Sequence, residues 1–330
     1  MPDRFPRAVP LLKLLLATAL GAASLATQAA WPEKPVKLIL PYAAGGLGDV
    51  LIRNVQSAVQ SRLGQPVVIE YRTGASGNIG VQEVIRAAPD GYTLLLGPTN
   101  NFVINQYLYP NLGYDPLASL APVTMLADTP YLVYVNPQVP AATYPEFVAH
   151  AKANPGKLNY GSPGNATVPH LSAYMMSEVM GARMTHVPYK GVQPGMQALL
   201  ANDVQMFIAG YGTSGPLVLA GKLRALAVSA NERLKVLPSV PTAAEAGIPA
   251  GLLLSNWWAI AAPRGTDGAV VNKLAADIRA ALMDAEVQKK YQDLGVIPLG
   301  NTPAETLERM RVEARSWKAI VEKSGAKADQ

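Results

Sequence analysis

The strongest constraint on how this chain folds is a unit that recurs along it. A short apolar run leads into a loop of glycine and small polar residues, and an amphipathic helix follows. Val36-Lys37-Leu38-Ile39-Leu40, stopped by Pro41, is read as a strand. Tyr42-Ala43-Ala44-Gly45-Gly46-Leu47-Gly48-Asp49 is too rich in glycine for either periodic structure. Beyond it Leu51, Val55, Val59 and Leu63 recur at helical spacing until Gly64-Gln65-Pro66 ends the pattern. Val67 to Tyr71 is a second strand, Thr73 to Asn78 a second loop, Val81 to Ala88 a second helix, and Tyr92 to Leu96 a third strand. Strand, helix, strand, helix, strand predicts a parallel sheet with helices on both faces.

The middle of the chain repeats the unit. Tyr131 to Val135 is strand-like, and Thr143 with Glu146 has the spacing of a helix capping box. Leu158 to Tyr160 runs into Gly161-Ser162-Pro163-Gly164-Asn165-Ala166-Thr167, then a helix with Leu171, Met175 and Val179 on one face. His186 to Tyr189, Met206 to Ala209 and Leu223 to Ser229 are further strands. The loop after Ala209, Gly210 to Ser214, is the fifth of its kind. At 330 residues two lobes are expected rather than one core. Beyond Pro241 an apolar run, Asn256 to Ala261, precedes helical spacing at Val271, Leu274, Ile278, Leu282 and Leu307 to Val321. The chain is therefore expected to cross to a second lobe and return, giving lobe one as 30–127 plus 257–330 and lobe two as 128–256.

Cysteine is absent, which excludes a disulfide scaffold, a thiolate metal site and a cysteine nucleophile. Lys and Arg number 28 against 23 acids, and they are scattered, so no nucleic-acid footprint is present. Residues 1–29 read as a secretory leader: Arg4, Arg7 and Lys13, an uncharged apolar stretch from Leu14 to Ala26, and small residues at Thr27-Gln28-Ala29. Nothing later in the sequence has the length and apolarity of a membrane span, and no cysteine follows the leader to carry a lipid. The mature chain is expected in a periplasm.

Glycine loops at the carboxyl ends of parallel strands gather where ligands bind. A helix starting there aims free N–H groups and a positive dipole end at the same point, which suits an anion. Catalytic signatures are missing: neither G-x-x-x-x-G-K-[ST] nor G-x-S-x-G occurs, and Gly45, Gly46 and Gly48 do not give G-x-G-x-x-G. Of three histidines, His150 falls on a polar helical segment, His186 in a strand, and His170 at a helix start after a polar loop. His170 is either a site residue or a brace for the Ser162–Thr167 loop. Asp49 reads as a helix cap before it reads as an acid or base. No metal or cofactor is expected.

Several motifs together resemble the Bug-type solute-binding receptors of tripartite tricarboxylate transporters. They include Trp31-Pro-x-x-Pro-Val, Pro41-Tyr42-Ala43-Ala44-Gly45-Gly46-x-x-Asp49, Leu63-Gly64-Gln65-Pro66-Val67-Val68 and Asp90-Gly91-Tyr92-Thr93-Leu94-Leu95. Pro155-Gly156-Lys157-Leu158-x-Tyr160-Gly161-Ser162, Val187-Pro188-Tyr189-Lys190-Gly191 and Pro241-Thr242-x-x-Glu245-Ala246-Gly247 continue the likeness. The resemblance implies a two-lobed α/β periplasmic binding fold, each lobe a largely parallel sheet flanked by helices. It implies a monomer that closes on a small organic anion, a carboxylate, and delivers it to membrane permease subunits. Carried onto this chain, the first-lobe candidates are Tyr42, Ala43, Gly45, Gly46, Leu47, Gly48 and Asp49, with Gly97, Thr99, Asn100 and Asn101. The second-lobe candidates are Ser162, Asn165, Ala166, Thr167, His170, Tyr189 and Lys190, with Tyr211 near the floor. Gly48 departs from the Thr or Ser frequent in the family, Ala166-Thr167 from Gly-Ser, and Gln205 from an acid. Two rivals stand beside this reading: a hydrolase using Ser162 with His170, and a sensor module that presents its ligand to a membrane kinase.

Overall fold

A computed structural model describes residues 31–327 of the chain. The leader expected over residues 1–29 lies outside the described residues. Of the described residues, Trp31–Glu33 belong to a unit separate from the one that begins at Lys34, and both sheets belong to the latter.

Strand β1 (Val36–Leu40) has Val36, Leu38, Ile39 and Leu40 buried, as a strand covered on both faces requires. A helix over Leu47–Leu63 buries Leu51, Ile52, Val55, Val59 and Leu63 and ends at Gly64, whose left-handed φ of 69° permits the closing turn. β2 (Val67–Tyr71) and β3 (Thr93–Pro98) both run parallel to β1, with the helix Asn78–Arg86 between them in sequence. β4 (Leu120–Thr129) belongs to the same sheet, as do β10 (Asn256–Pro263) and the two-residue β11 (Ile297–Pro298). The order is β11-β4-β10-β3-β1-β2. β10 lies antiparallel between β3 and β4, and β11 is antiparallel to β4. Four of the six strands thus point one way.

The second sheet contains β5 (Tyr131–Val135), β6 (Asn159–Ser162), β7 (Thr185–Pro188), β8 (Met206–Gly210) and β9 (Arg224–Val228), ordered β7-β6-β8-β5-β9. β6, β7 and β8 are parallel, and β5 runs against both β8 and β9. Again one interior strand is reversed, because β4 continues into β5 with only Pro130 between them, so β5 must leave the first sheet and enter the second. The chain returns at β10, whose first residue Asn256 pairs with Thr129, the last of β4. The Thr129 hydroxyl donates to the Asn256 carbonyl. Two adjacent antiparallel segments therefore join the sheets.

Local signals account for most element ends. Thr143 caps the helix Tyr144–Ala153 by accepting the Glu146 N–H at 3.4 Å, while the Glu146 carboxylate takes the N–H of Ala142 at 2.7 Å. In the helix Val168–Met180 the buried residues include Leu171, Ser172, Met176 and Met180, whereas Val179 is 58% exposed. The expected Leu171-Met175-Val179 face is not the buried one, because a strict four-residue step drifts off a stripe that repeats every 3.6. C-terminal helices Gly268–Leu282, Ala285–Asp293 and Pro303–Ser324 complete the chain. The last also reaches the second sheet's partners: Tyr174 donates to the Lys323 carbonyl at 2.9 Å.

Candidate functional site

The helix Leu47–Leu63 starts at Gly46, which has no side chain with which to cap it. Its first intrahelical bond runs from the Val50 N–H to the Gly46 carbonyl, so the N–H groups of Leu47, Gly48 and Asp49 have no partner among the described residues. Asp49 stands in that first turn rather than at the cap. One of its oxygens accepts the Gly45 N–H at 2.9 Å; the other accepts Arg53 Nε at 2.8 Å and the Tyr71 hydroxyl at 2.7 Å. Burial alone would raise its pKa, but the Gly45 N–H, the Tyr71 hydroxyl and the Arg53 guanidinium together lower it. It is a fixed, compensated anion that cinches the Tyr42–Gly48 loop.

Behind this loop is a polar brace. Ala75 and Ser76 both adopt left-handed φ, 46° and 51°, which costs energy for residues with a Cβ. The Ser76 carbonyl accepts the Tyr42 hydroxyl at 3.1 Å, Asn101 Nδ2 at 3.0 Å and Asn105 Nδ2 at 3.3 Å. Three donors on one oxygen hold the strained turn and the first loop together.

From the second sheet, Thr167 caps the helix Val168–Met180, accepting the His170 N–H at 3.4 Å and donating to the Gly164 carbonyl at 2.9 Å. His170 is 8% exposed, and its Nδ1 accepts the Ala166 N–H at 3.0 Å. That bond holds Ala166 at a φ of 57° and leaves the imidazole neutral with its proton on Nε2. Burial, and next the neighbouring His186, lower the His170 pKa to about 4. His170 is the loop's brace.

A cavity of about 340 Å³ lies where these parts meet. It is lined from the first sheet's side by Tyr42, Ala43, Gly46, Leu47, Gly48, Asp49, Ser76, Pro98, Asn100, Asn256 and Trp258. Tyr131, Pro163, Thr167, Val168 and Pro169 line it from the second. Four of the five glycine loops contribute. A larger cavity, about 670 Å³, is lined by Asp128, Pro130, Ser255, residues 229–236 and residues 295–299. None of the glycine loops reaches it, and its Arg233 and Arg309 are already paired with Glu245, Asp128 and Glu313. The smaller cavity is the better candidate on chemistry.

Of the residues expected at the site, Tyr42, Ala43, Gly46, Leu47, Gly48, Asp49, Asn100 and Thr167 line this cavity. Others sit elsewhere for clear reasons. Thr99 is fully buried and bonds both the N–H and the carbonyl of Trp257, stitching β3 to β10. Gly97 and Asn101 are interior residues of the first lobe, and the Gly45 N–H is taken by Asp49. Ser162 is fully buried, its hydroxyl 2.7 Å from Nε2 of His186 and not on His170. Asn165 is exposed, and Ala166 is buried beside His170. Lys190 is exposed after β7, an outermost strand, so it lies off the cavity; the Tyr189 ring packs near Gly161. At the end of β8 the cleft position belongs to Tyr131, the partner of Gly210, while the Tyr211 ring lies against Gly295 and Gly215.

Ser76, Tyr131, Val168, Pro169, Asn256 and Trp258 were not expected. Asn256 and Trp258 open a strand that runs against its neighbours, so its amino end, not its carboxyl end, stands at the ligand edge. Their two-residue spacing puts both on one face, with Trp257 on the other, where its Nε1 donates to Glu313 at 2.7 Å. The polar Asn256 heading a buried run was the available signal. Among the described residues no cluster of His, Cys, Asp or Glu suits a metal ion, and no helix is long and apolar enough to cross a membrane.

Two α/β sheets joined by paired crossing strands, with helix N-termini converging on the cavity between them, define a two-lobed solute-binding receptor. Residues 51–326 match the family model described as tripartite tricarboxylate transporter family receptor, and the chain belongs to that family. It is 33% identical over 322 residues to protein BugT of Bordetella pertussis, covering 97% of this chain and 98% of that one. An R. palustris protein solved with adipate is 32% identical with a TM-score of 0.77, over 90% of this chain and 99% of that one. MatC of Rhodopseudomonas palustris, solved with bound malate, is 31% identical with a TM-score of 0.73, over 88% of this chain and all of that one.

Proposed function

We propose that this receptor captures a small carboxylate in the 340 Å³ cavity and hands it to the membrane subunits of a tripartite transporter. The observation that carries the reading is the meeting of two helix N-termini, at Leu47–Asp49 and Thr167–Pro169, on one cavity. Each helix end acts as roughly half a positive charge, and the first also offers the unpaired N–H groups of Leu47, Gly48 and Asp49, so together they complement a carboxylate without a cationic side chain. The solved relatives with adipate and malate support the same class of solute. The protein acts as a monomer in a periplasm once a leader over residues 1–29 is removed.

Lobes of 30–127 plus 257–330 and 128–256 hinge where β4 meets β5 and at the start of β10. A solute that touches both helix ends stabilises the closed arrangement by the amount it prefers that arrangement over the open one. The test is a thermal-unfolding screen of ligand-free protein against mono-, di- and tricarboxylates. A bound acid at 100 times its Kd adds about 2.7 kcal/mol of stability. Silence across the whole panel removes the proposal. Gly46→Val checks the placement: Gly46 is exposed at the helix start, and the variant is expected to fold and lose binding.

A further inference from the structure

We infer that the solute carries a single carboxylate on a flat, apolar, ring-sized body, and that Trp258 selects it; this rests on the carboxylate reading above. A Cβ placed on Gly48 would stand 2.3 Å from Cζ3 and 2.7 Å from Cη2 of Trp258. The six-membered part of the indole therefore occupies the space over the first turn of the helix Leu47–Leu63. Any side chain at position 48, a hydroxyl donor included, would have to displace it. Tyr42 meets Trp258 edge to face, ring centres 5.9 Å apart and planes at 72°, so the two rings form a corner of the cavity. Leu47, Val168 and Pro169 add further apolar lining.

Charge points the same way. No Lys, Arg or His lines the cavity, and its one charged residue, Asp49, is already bonded to Gly45, Arg53 and Tyr71. Two helix ends amount to about one positive charge, enough for one carboxylate. A second carboxylate would lose water against the Tyr42–Trp258 corner with no cation to receive it. A ring in that position instead exchanges water for aromatic contact.

The test is calorimetric titration of the leader-free protein with benzoate, phenylacetate, adipate and malate. Benzoate or phenylacetate is expected to bind at least tenfold more tightly than adipate or malate. Equal affinities, or tighter binding of either diacid, overturn the inference and leave the carboxylate reading in place. No binding by any of the four, nor by any other carboxylate, removes that reading as well. Trp258→Leu, checked for a cooperative melt, is expected to lose at least tenfold in affinity for the ring acids while its affinity for the diacids holds or rises. Ring acids bound undiminished by Trp258→Leu would overturn the role given to that residue; the native panel decides the solute class even if the variant does not fold.

Discussion

The imidazoles of His170 and His186 stack with their centres 3.9 Å apart and their planes inclined by 15°. Tyr160 continues the stack, its ring centre 5.0 Å from that of His186. Burial disfavours the charged form of each ring, and at His170 the neighbouring His186 adds to it, so both are held neutral at pH 7. Their folded pKa values lie below the ordinary 6.5, His170 at about 4. The unfolded chain therefore takes up protons between pH 6.5 and pH 4 that the folded chain refuses. Stability is full above pH 6.5 and falls as the pH drops through that window, by about 3 kcal/mol for His170. Urea unfolding at pH 7.5, 6 and 4.5 measures this slope. His170→Asn, which keeps an acceptor for the Ala166 N–H, is expected to flatten it; an unchanged slope would assign the effect to other groups.

Asp49→Asn tests the cinch on the first loop. The variant loses the charge that faces Arg53 and weakens the set of three bonds to Gly45, Arg53 and Tyr71. Hydrogen bonds to charged groups contribute about 1.5–3 kcal/mol, so a loss near the lower end is expected in chemical unfolding. Because the folded carboxylate has the lowered pKa, its contribution is full above about pH 4 and disappears as the pH falls below that. Binding of the cognate acid at pH 7 is expected to weaken about tenfold or more. Native affinity in the variant would show that the loop holds its shape without the cinch.

Thr167→Val removes the cap of the helix Val168–Met180 while keeping its shape. The cost is expected to be about 1 kcal/mol of stability, with Thr167→Ser close to native. Affinity should fall in the valine variant because the freed Gly164–Thr167 turn no longer presents the helix end. A valine variant that melts with the native protein would show that the cap is redundant with the His170 bond to Ala166.

Gly195→Ala probes the packing of the second sheet. A Cβ there would stand 2.1 Å from Cε2 of Phe207, and one placed on Gly161 would stand 2.7 Å from Cδ2 of the same ring. Phe207 is fully buried in β8, so the ring has no free space to enter. Overpacking of this kind costs about 1–3 kcal/mol, visible as a lowered midpoint in urea with an unchanged slope. An unaltered midpoint would mean that the helix Val192–Ala201 shifts freely on the sheet.

Much of the architecture was legible in the residues. β1, β2 and β5 begin and end where apolar runs begin and end, because a strand's extent depends on its neighbours in sequence. The glycine loops after β1, β3 and β6 were legible too, and each contributes to the cavity. Lys190 and Tyr211 were misplaced for one reason: a loop after a strand is at the ligand edge only if the strand lies near the middle of the sheet and no reversed neighbour intrudes. β7 is outermost, and β5 brings Tyr131 to the end of β8. His170 was recognised as a brace or a site residue, and its bond to Ala166 decides for the brace. Ser162 pairs with His186 because β6 and β7 are neighbours, a fact of sheet order that residue spacing does not carry.

The order of strand, loop and helix, the Thr143 cap and the family itself were determined by the sequence alone, since each rests on residues a few positions apart. Tertiary structure alone decided that β10 would insert antiparallel between β3 and β4, bringing Asn256 and Trp258 to the cavity and the Trp258 ring over Gly48. Positions 48 and 258 are far apart along the chain, and only the pairing of distant strands sets one against the other.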